Sequence, residues 1–478
     1  MKIKALLLCL LLAGPITDLG AEIRLPSVFS DNMVLQQNTD VAFWGKADPG
    51  DKVVISPSWS SDKAVATAGK DGNWSVKVST VSAGGPYEIA ITSGKDRVDI
   101  KNVLLGEVWI CSGQSNMEMP MKGFTGQPVE NSAEYICSAR PEIPIRSCNL
   151  KRIKSLEEEF DCPATWYEHT PEGVAEASAT AYFFAQRLYK TLRVPVGIIN
   201  VSWGGTPIEA WMDKDVIASG FAGEFDMSSY ETGKFREKNP HKVPGVLYNG
   251  MLHTVIPFTA KGFIWYQGCD NKDRFEQYRR LQPAFAKMLR EQWGNEDMPF
   301  YFTQIAPFSY GNPQSRAAGY MMWAQAQTLA EIPHSGMAAT HDSGDCDCIH
   351  PADKKTVGDR LGYLALVNDY GIKGIDPNPP VFKSVEFTGN KARVKFDVGN
   401  MGLSPINKDL PGFELAGEDH VFHPATARVL GDRSLIEVTS PEVEAPVAVH
   451  YGMRNCSEAT LFNCSGIPAS PFRSDNWE

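Results

Sequence analysis

An α/β fold flanked by β-rich segments is what this 478-residue chain predicts, on three observations. Apolar strand-like runs alternate with amphipathic helical stretches over residues 103–375. Short strands separated by turn clusters fill residues 22–102, and strand-like runs return over residues 376–478. The alternation implies a mostly parallel sheet with helices on both faces. A chain this long suits two to four domains.

The elements follow in order. Residues 1–21 carry Lys2 and Lys4, an apolar run from Ala5 to Gly14, and the small residues Gly20 and Ala21 before Glu22. This is the pattern of a secretory signal peptide, so a secreted or periplasmic protein is expected, with Cys9 part of the removed segment. The apolar run is too short to span a membrane and no other stretch approaches the length, so no membrane span is expected. In residues 22–102 the runs 41–44, 53–55, 74–78 and 87–91 are separated by clusters such as Asp48-Pro49-Gly50-Asp51, which predicts a small β-sandwich. In residues 103–375, strands are expected at 106–111, 196–201, 262–266, 300–305 and 337–340. Helices are expected near 175–192, 274–293 and 321–332, with another after Pro351. Residues 120–165 and 219–244 show no clear periodicity and read as long loops, which at that length are often functional. Residues 376–478 form a C-terminal β-rich region, with runs at 385–387, 392–396, 435–438 and 447–449.

Composition narrows the function. A net charge of −11 with no basic stretch argues against nucleic acid or an anionic membrane as partner. Eleven tryptophans permit surfaces that stack on sugars without demonstrating one. Ten cysteines in an exported chain suggest disulfides rather than metal thiolates. Cys456 and Cys464 are close enough in sequence to close a small loop, and Cys137, Cys148 and Cys162 offer another pair. Cys111 lies within an apolar strand and reads as a free buried thiol.

The chemistry concentrates at predicted strand ends. The run Gly106-Glu107-Val108-Trp109-Ile110-Cys111-Ser112-Gly113-Gln114-Ser115-Asn116-Met117 stops at a small-residue turn that presents Ser115 at the carboxyl edge of the sheet, where open α/β folds keep their sites. Acyl transfer needs a nucleophile, a base, a group to orient the base and donors for an oxyanion. Gly204 and Gly205 follow the second such strand and would let backbone N–H groups approach a substrate oxygen closely. Gln267 and Asn271 follow the third, and either side-chain amide could donate to the same oxygen. His350 closes a loop just ahead of a helix. Each piece alone is common in loops, and their shared placement is what points to a serine esterase.

Several longer strings then resemble one family across nearly the whole chain. Gly106 to Met117, Ser202-Trp203-Gly204-Gly205-Thr206-Pro207-Ile208-Glu209-Ala210-Trp211, Leu247-Tyr248-Asn249-Gly250-Met251, Trp265-Tyr266-Gln267-Gly268, Ile349-His350-Pro351 and Ile467-Pro468-Ala469-Ser470-Pro471-Phe472-Arg473 are similar to the sialate O-acetylesterase family of SGNH-type serine esterases. The resemblance implies a flavodoxin-like, three-layer hydrolase domain over residues 103–375 that removes O-acetyl groups from sugars, notably sialic acids, without a cofactor. It implies Ser115 as nucleophile and His350 as base. The oxyanion hole would be the Ser115 N–H with Gly204 or Gly205 and Gln267 or Asn271.

Two positions depart from the family pattern. Cys269 stands where an acidic residue commonly follows Gln-Gly, and Cys348 where an Asp is frequent before Ile-His-Pro. Asp347, at Asp-x-x-His spacing, is therefore expected to orient His350, with Asp345 or a backbone carbonyl as alternatives. A Cys269–Cys348 disulfide is expected over Cys269–Cys346. His341, Asp342, Cys346, Asp347, Cys348 and His350 could ligate a metal, but no second Cys pair accompanies them and His350 is already used, so no metal is expected. The expected partner is an O-acetylated sugar or glycan. Acetylated xylan or other glycans are the alternative substrates, and a non-catalytic sugar-binding protein on an esterase scaffold is the alternative of another class.

Overall fold

The computed structural model describes residues 22–477 and is organised around one 18-residue strand, Asp96–Gly113. The expected signal peptide, residues 1–21, lies outside the described residues. Burial changes along this strand. From Asp96 to Asn102 exposed positions alternate with covered ones, whereas every residue from Val103 to Gly113 is buried. The first part pairs antiparallel with Gly84–Ser93, leaving one face to solvent, and the second lies between parallel strands in a sheet covered on both faces.

The N-terminal region is the expected β-structure. Asp40–Lys46 pairs with Asn73–Ser79, and Lys52–Pro57 lies between Ala64–Thr67 and Gly84–Ser93. Inward residues at period two, Val41 and Phe43 on one strand and Val53 and Ile55 on another, join Trp74, Ile89 and Ile91 in the core. That core is continuous with the one beneath the central sheet. The boundary expected between residues 102 and 103 falls inside the long strand.

The central sheet runs in the order Ser335–Ala338, Phe300–Thr303, Gly262–Tyr266, Asp96–Gly113, Val196–Ser202, Ile145–Leu150 and Ala164–Tyr167. All neighbours are parallel except the last pair. Helices Ala179–Leu192 and Lys355–Asn368 pack on one face, and Phe275–Trp293 and Ala317–Gln327 cover the other. Ser178 starts the first of these by accepting the Ala181 N–H on its hydroxyl. The edge hairpin of Ile145–Leu150 and Ala164–Tyr167 comes largely from residues 120–165, which read as loop. Ile145–Leu150 is buried at Ile145, Arg146, Ser147 and Cys148 alike, so it carries no alternation to betray it.

The C-terminal region is a seven-stranded antiparallel sheet with its own core, including Val394, Phe396, Phe413, Leu415, Ile436 and Tyr451. It docks on the α/β region. Asn455 accepts the Ala318 N–H on its side chain, Gln304 donates to Ser470, and Arg316 pairs with Glu414.

The disulfide is none of the expected pairings. Cys346 is bonded to Cys456, 110 residues away, while Cys269, Cys348 and Cys464 are free, as are Cys137, Cys148 and Cys162. Cys456 and Cys464 are held by different elements. The Cys456 N–H donates to Pro313, whereas Cys464 follows Phe462–Asn463, which pairs with Leu403–Ser404. Cys348 turns its thiol to the His350 carbonyl at 3.3 Å, and Cys269 is buried. Cys111 is free and buried, as expected. Among the described residues no helix is long and apolar enough to cross a membrane. Replacing Cys346 and Cys456 together by Ser is expected to lower unfolding stability by roughly 2–4 kcal/mol, read as a fall in the denaturant midpoint.

Candidate active site

Three strands end level with one another. Gly113 lies opposite Ser202 on one side and Tyr266 on the other, so the chain leaves the sheet at one edge after each. The turn after Gly113 admits no side chain. Its φ is +140°, and a Cβ there would lie 2.2 Å from the Tyr266 carbonyl oxygen. The Gln114 N–H donates to that carbonyl at 3.0 Å, and the Gln114 side-chain oxygen accepts from the Gly268 N–H at 3.1 Å. Ser115 opens the one-turn helix Ser115–Glu118, so its N–H has no intrahelical acceptor.

Ser115 Oγ lies 2.7 Å from His350 Nε2, and His350 Nδ1 lies 2.6 Å from Gln127 Oε1. An amide oxygen only accepts, so Nδ1 carries the ring proton and Nε2 is left to accept from the serine hydroxyl. Phe124 meets the imidazole edge-on with ring centroids 5.3 Å apart. Reciprocal backbone hydrogen bonds between Phe124 and Gln127, at 2.9 and 3.0 Å, close the loop that carries both side chains. Burial, and then the charge of Lys354, hold the His350 pKa below the usual histidine value. The ring therefore stays neutral, and able to take a proton, at a lower pH than a free histidine.

The expected orienting carboxylates are elsewhere. Asp347 and Asp345 are both exposed, and the Asp347 N–H donates to Asp345 Oδ1 at 2.9 Å in a local turn. His350 Nδ1 meets Gln127 Oε1 instead, so the three-residue spacing to His350 does not bring a carboxylate to Nδ1. The other potential metal ligands are also dispersed. Asp342 pairs with Arg360, and His341 Nε2 meets the Ser457 hydroxyl at 2.8 Å.

The residues expected around the oxyanion divide into two sets. The Gln267 amide nitrogen donates to the Thr206 carbonyl at 3.1 Å and to Asn271 Oδ1 at 2.8 Å. Asn271 Oδ1 also accepts from the Ile208 N–H, its nitrogen donates to Glu209 Oε2, and Glu209 pairs with Arg274. These buried amides bind two loops together, which leaves the Gln267 nitrogen no further hydrogen to offer. Gly204 and Ser115 are in contact range: a Cβ at Gly204 would lie 3.0 Å from Ser115 Cβ and 3.0 Å from Glu118 Oε2. The Gly204 N–H donates to Glu118 Oε2 at 2.8 Å. The Gly205 N–H, like that of Ser115, has no acceptor among the described residues.

Sequence reading missed a clamp behind the pair. Lys354 is 1% exposed, and its ammonium donates to Asn116 Oδ1 at 2.8 Å and to the Pro351 carbonyl at 2.5 Å. Asn116 in turn donates to the Ile349 carbonyl at 3.0 Å. Residues next to Ser115 and on both sides of His350 are thus fastened together. Burial pulls the Lys354 pKa down to about 7, against the raising effect of Cys348, Asp353 and Cys269. The only available signal was a Lys four residues after His350, where a helix turn begins. Gln127 had none beyond lying in a long aperiodic stretch.

Residues 105–364 match the carbohydrate esterase family described as sialic acid-specific acetylesterase. The chain belongs to that family. Among its relatives, the human sialate O-acetylesterase is 27% identical over 495 residues, covering 95% of this chain and 92% of that protein. The rat sialate O-acetylesterase is 26% identical, covering 98% and 97%. A carbohydrate acetylesterase from Xanthomonas citri, known from its crystal structure, superposes with a TM-score of 0.85 at 32% identity and covers 95% of this chain and all of that one. This member of the sialic acid-specific acetylesterase family is a carboxylic ester hydrolase.

Three substitutions probe the imidazole environment. Gln127→Glu places a carboxylate against Nδ1, which favours the imidazolium and moves the acid limb of the kcat/KM profile to higher pH. Gln127→Leu leaves the ring unoriented and should cost about a hundredfold in kcat. Lys354→Met removes the charge that lowers the His350 pKa, so it too should move the acid limb to higher pH, with a lower plateau because the clamp is lost.

Proposed function

We propose that the chain is an SGNH-type serine O-acetylesterase, with a flavodoxin-like three-layer catalytic region, that deacetylates sugars and acts on O-acetylated sialic acids. The observation that carries this reading is the 2.7 Å contact between Ser115 Oγ and His350 Nε2. Family membership and relatives named sialate O-acetylesterase along nearly their whole length support the substrate class. The sheet supports the fold: with the edge hairpin set aside, its parallel strands run 2-1-3-4-5 in chain order.

In this reading His350 takes the Ser115 proton as Oγ attacks the acetyl carbonyl. The tetrahedral oxyanion is received by the Ser115 N–H and the Gly205 N–H. Gly204 lends its close approach rather than its own N–H, which Glu118 holds. Gln267 and Asn271 brace the loops beneath. The imidazolium then protonates the departing sugar oxygen, and water, deprotonated by His350, releases acetate from the acetyl-serine. Gln127 keeps the proton on Nδ1, the role first sought among Asp347 and Asp345. Cys348 and Cys269, the residues that made a non-catalytic scaffold conceivable, leave the serine–histidine contact in place.

Export is part of the proposal. Residues 1–21 have the composition of a signal peptide, and the Cys346–Cys456 bond fits an oxidising compartment.

Acetate release from an aryl acetate and from a panel of O-acetylated sugars, sialic acids included, tests it. Ser115→Ala should lower turnover at least about ten-thousandfold with the thermal melt unchanged. Turnover that survives Ser115→Ala would sink the nucleophile assignment. A panel in which xylose acetates are cleaved and sialate acetates are not would replace the substrate.

A further inference from the structure

We infer that a patch of cationic and aromatic side chains beside Ser115, formed by Arg152, Lys154, Trp203 and His241, is a subsite for the carboxylate of an anionic acetylated sugar. It rests on the O-acetylesterase reading above and adds which part of the sugar is recognised, and by what.

The patch reaches the serine through one carboxylate. Glu118 Oε2 accepts the Gly204 N–H, and its other oxygen meets Arg152 Nε at 2.5 Å. Gly204 itself stands against Ser115, so Arg152 lies one side chain beyond the turn that carries the serine. The Arg152 side chain is 51% exposed, and only its Nε is engaged. Its two Nη groups, the fork that grips carboxylates bidentately, have no hydrogen-bond acceptor among the described residues. The guanidinium carbon lies 5.7 Å from the Trp203 ring centre, and the other side of the same cluster is His241, stacked on Trp203 at 5.4 Å and 8°.

Charge is unevenly distributed here. Arg152, Lys154 and Lys242 all act on His241, with Asp270 the opposing group. Lys242 is paired with Asp270 at 2.5 Å and Arg152 with Glu118. Lys154 has only the Phe235 ring, 5.3 Å from its ammonium, and no carboxylate partner among the described residues. A local excess of positive charge thus surrounds His241, in a cluster that Arg152 links to the turn carrying the serine, on a chain whose net charge is −11. An anionic sugar repelled by the molecule as a whole is attracted at this rim, and a neutral one gains nothing there. Glu118 serves as a fixed counter-ion that holds the guanidinium in place without occupying its fork.

The test is competition against aryl acetate hydrolysis by the full chain, using free N-acetylneuraminic acid, its C1 methyl ester and N-acetylmannosamine as competitors. The free acid should compete roughly tenfold or more tightly than the methyl ester, the worth of one charged hydrogen bond. That preference should shrink as salt rises and fall towards one in Lys154→Ala and in Arg152→Ala. Because Arg152 also holds Glu118, Lys154→Ala and calorimetric titration of the same ligands into Ser115→Ala provide readouts independent of turnover. Equal binding of acid and methyl ester, or a preference that survives both substitutions, overturns the subsite. Absence of acetate release from every ester would instead overturn the esterase reading, and the calorimetric comparison would still decide the subsite.

Discussion

The close approach of Gly113 to the Tyr266 carbonyl is the constraint on which the site depends. It aligns the ends of neighbouring strands and forces the chain into a turn that only glycine can make. Ser115 is delivered from that turn, and Gln114 locks it to the loop after Tyr266. The polar groups around it are arranged to hold loops in place. The Gln267 and Asn271 amides bond to each other, to backbone and to Glu209, which Arg274 pairs in turn, so the rigid part of the site is a buried polar network and the reactive part is what it leaves exposed.

The imidazole is held by a neutral partner. A carboxylate at Nδ1 stabilises the imidazolium, whereas the Gln127 amide fixes the tautomer without adding charge, and the nearest buried cation, Lys354, opposes protonation. The balance favours the neutral imidazole. Orientation comes from geometry, through Phe124, Gln127 and the Lys354–Asn116 clamp, more than from electrostatic attraction.

Much of this was legible in the residues. Strands with continuous apolar runs, such as 196–201 and 262–266, and helices with clear periodicity announced the sheet and its two covering layers. Ser115 and His350, which the structure places 2.7 Å apart, stood out because one follows a strand and the other precedes a helix. Gln127 could not, since it reaches His350 across 223 residues from a loop with no pattern. The Asp-x-x-His spacing misled for a related reason: spacing along the chain positions a side chain only if the backbone between is regular, and here it turns back on itself at Asp345. Cysteine pairing was hidden in the same way, because the Cys346–Cys456 bond joins two units whose docking has no local signature.

The long strand Asp96–Gly113 also bears on how the chain can be divided. One uninterrupted run of extended backbone begins as an edge of the N-terminal sheet and ends under the serine, and the apolar core beneath it does not break at the crossing. No linker exists there to bend or be cut. The two regions form a single mechanical body in which the N-terminal β-structure is a splint for the strand that ends at Gly113, so an exchange of N-terminal modules between relatives would have to carry this strand, and with it Ser115, along.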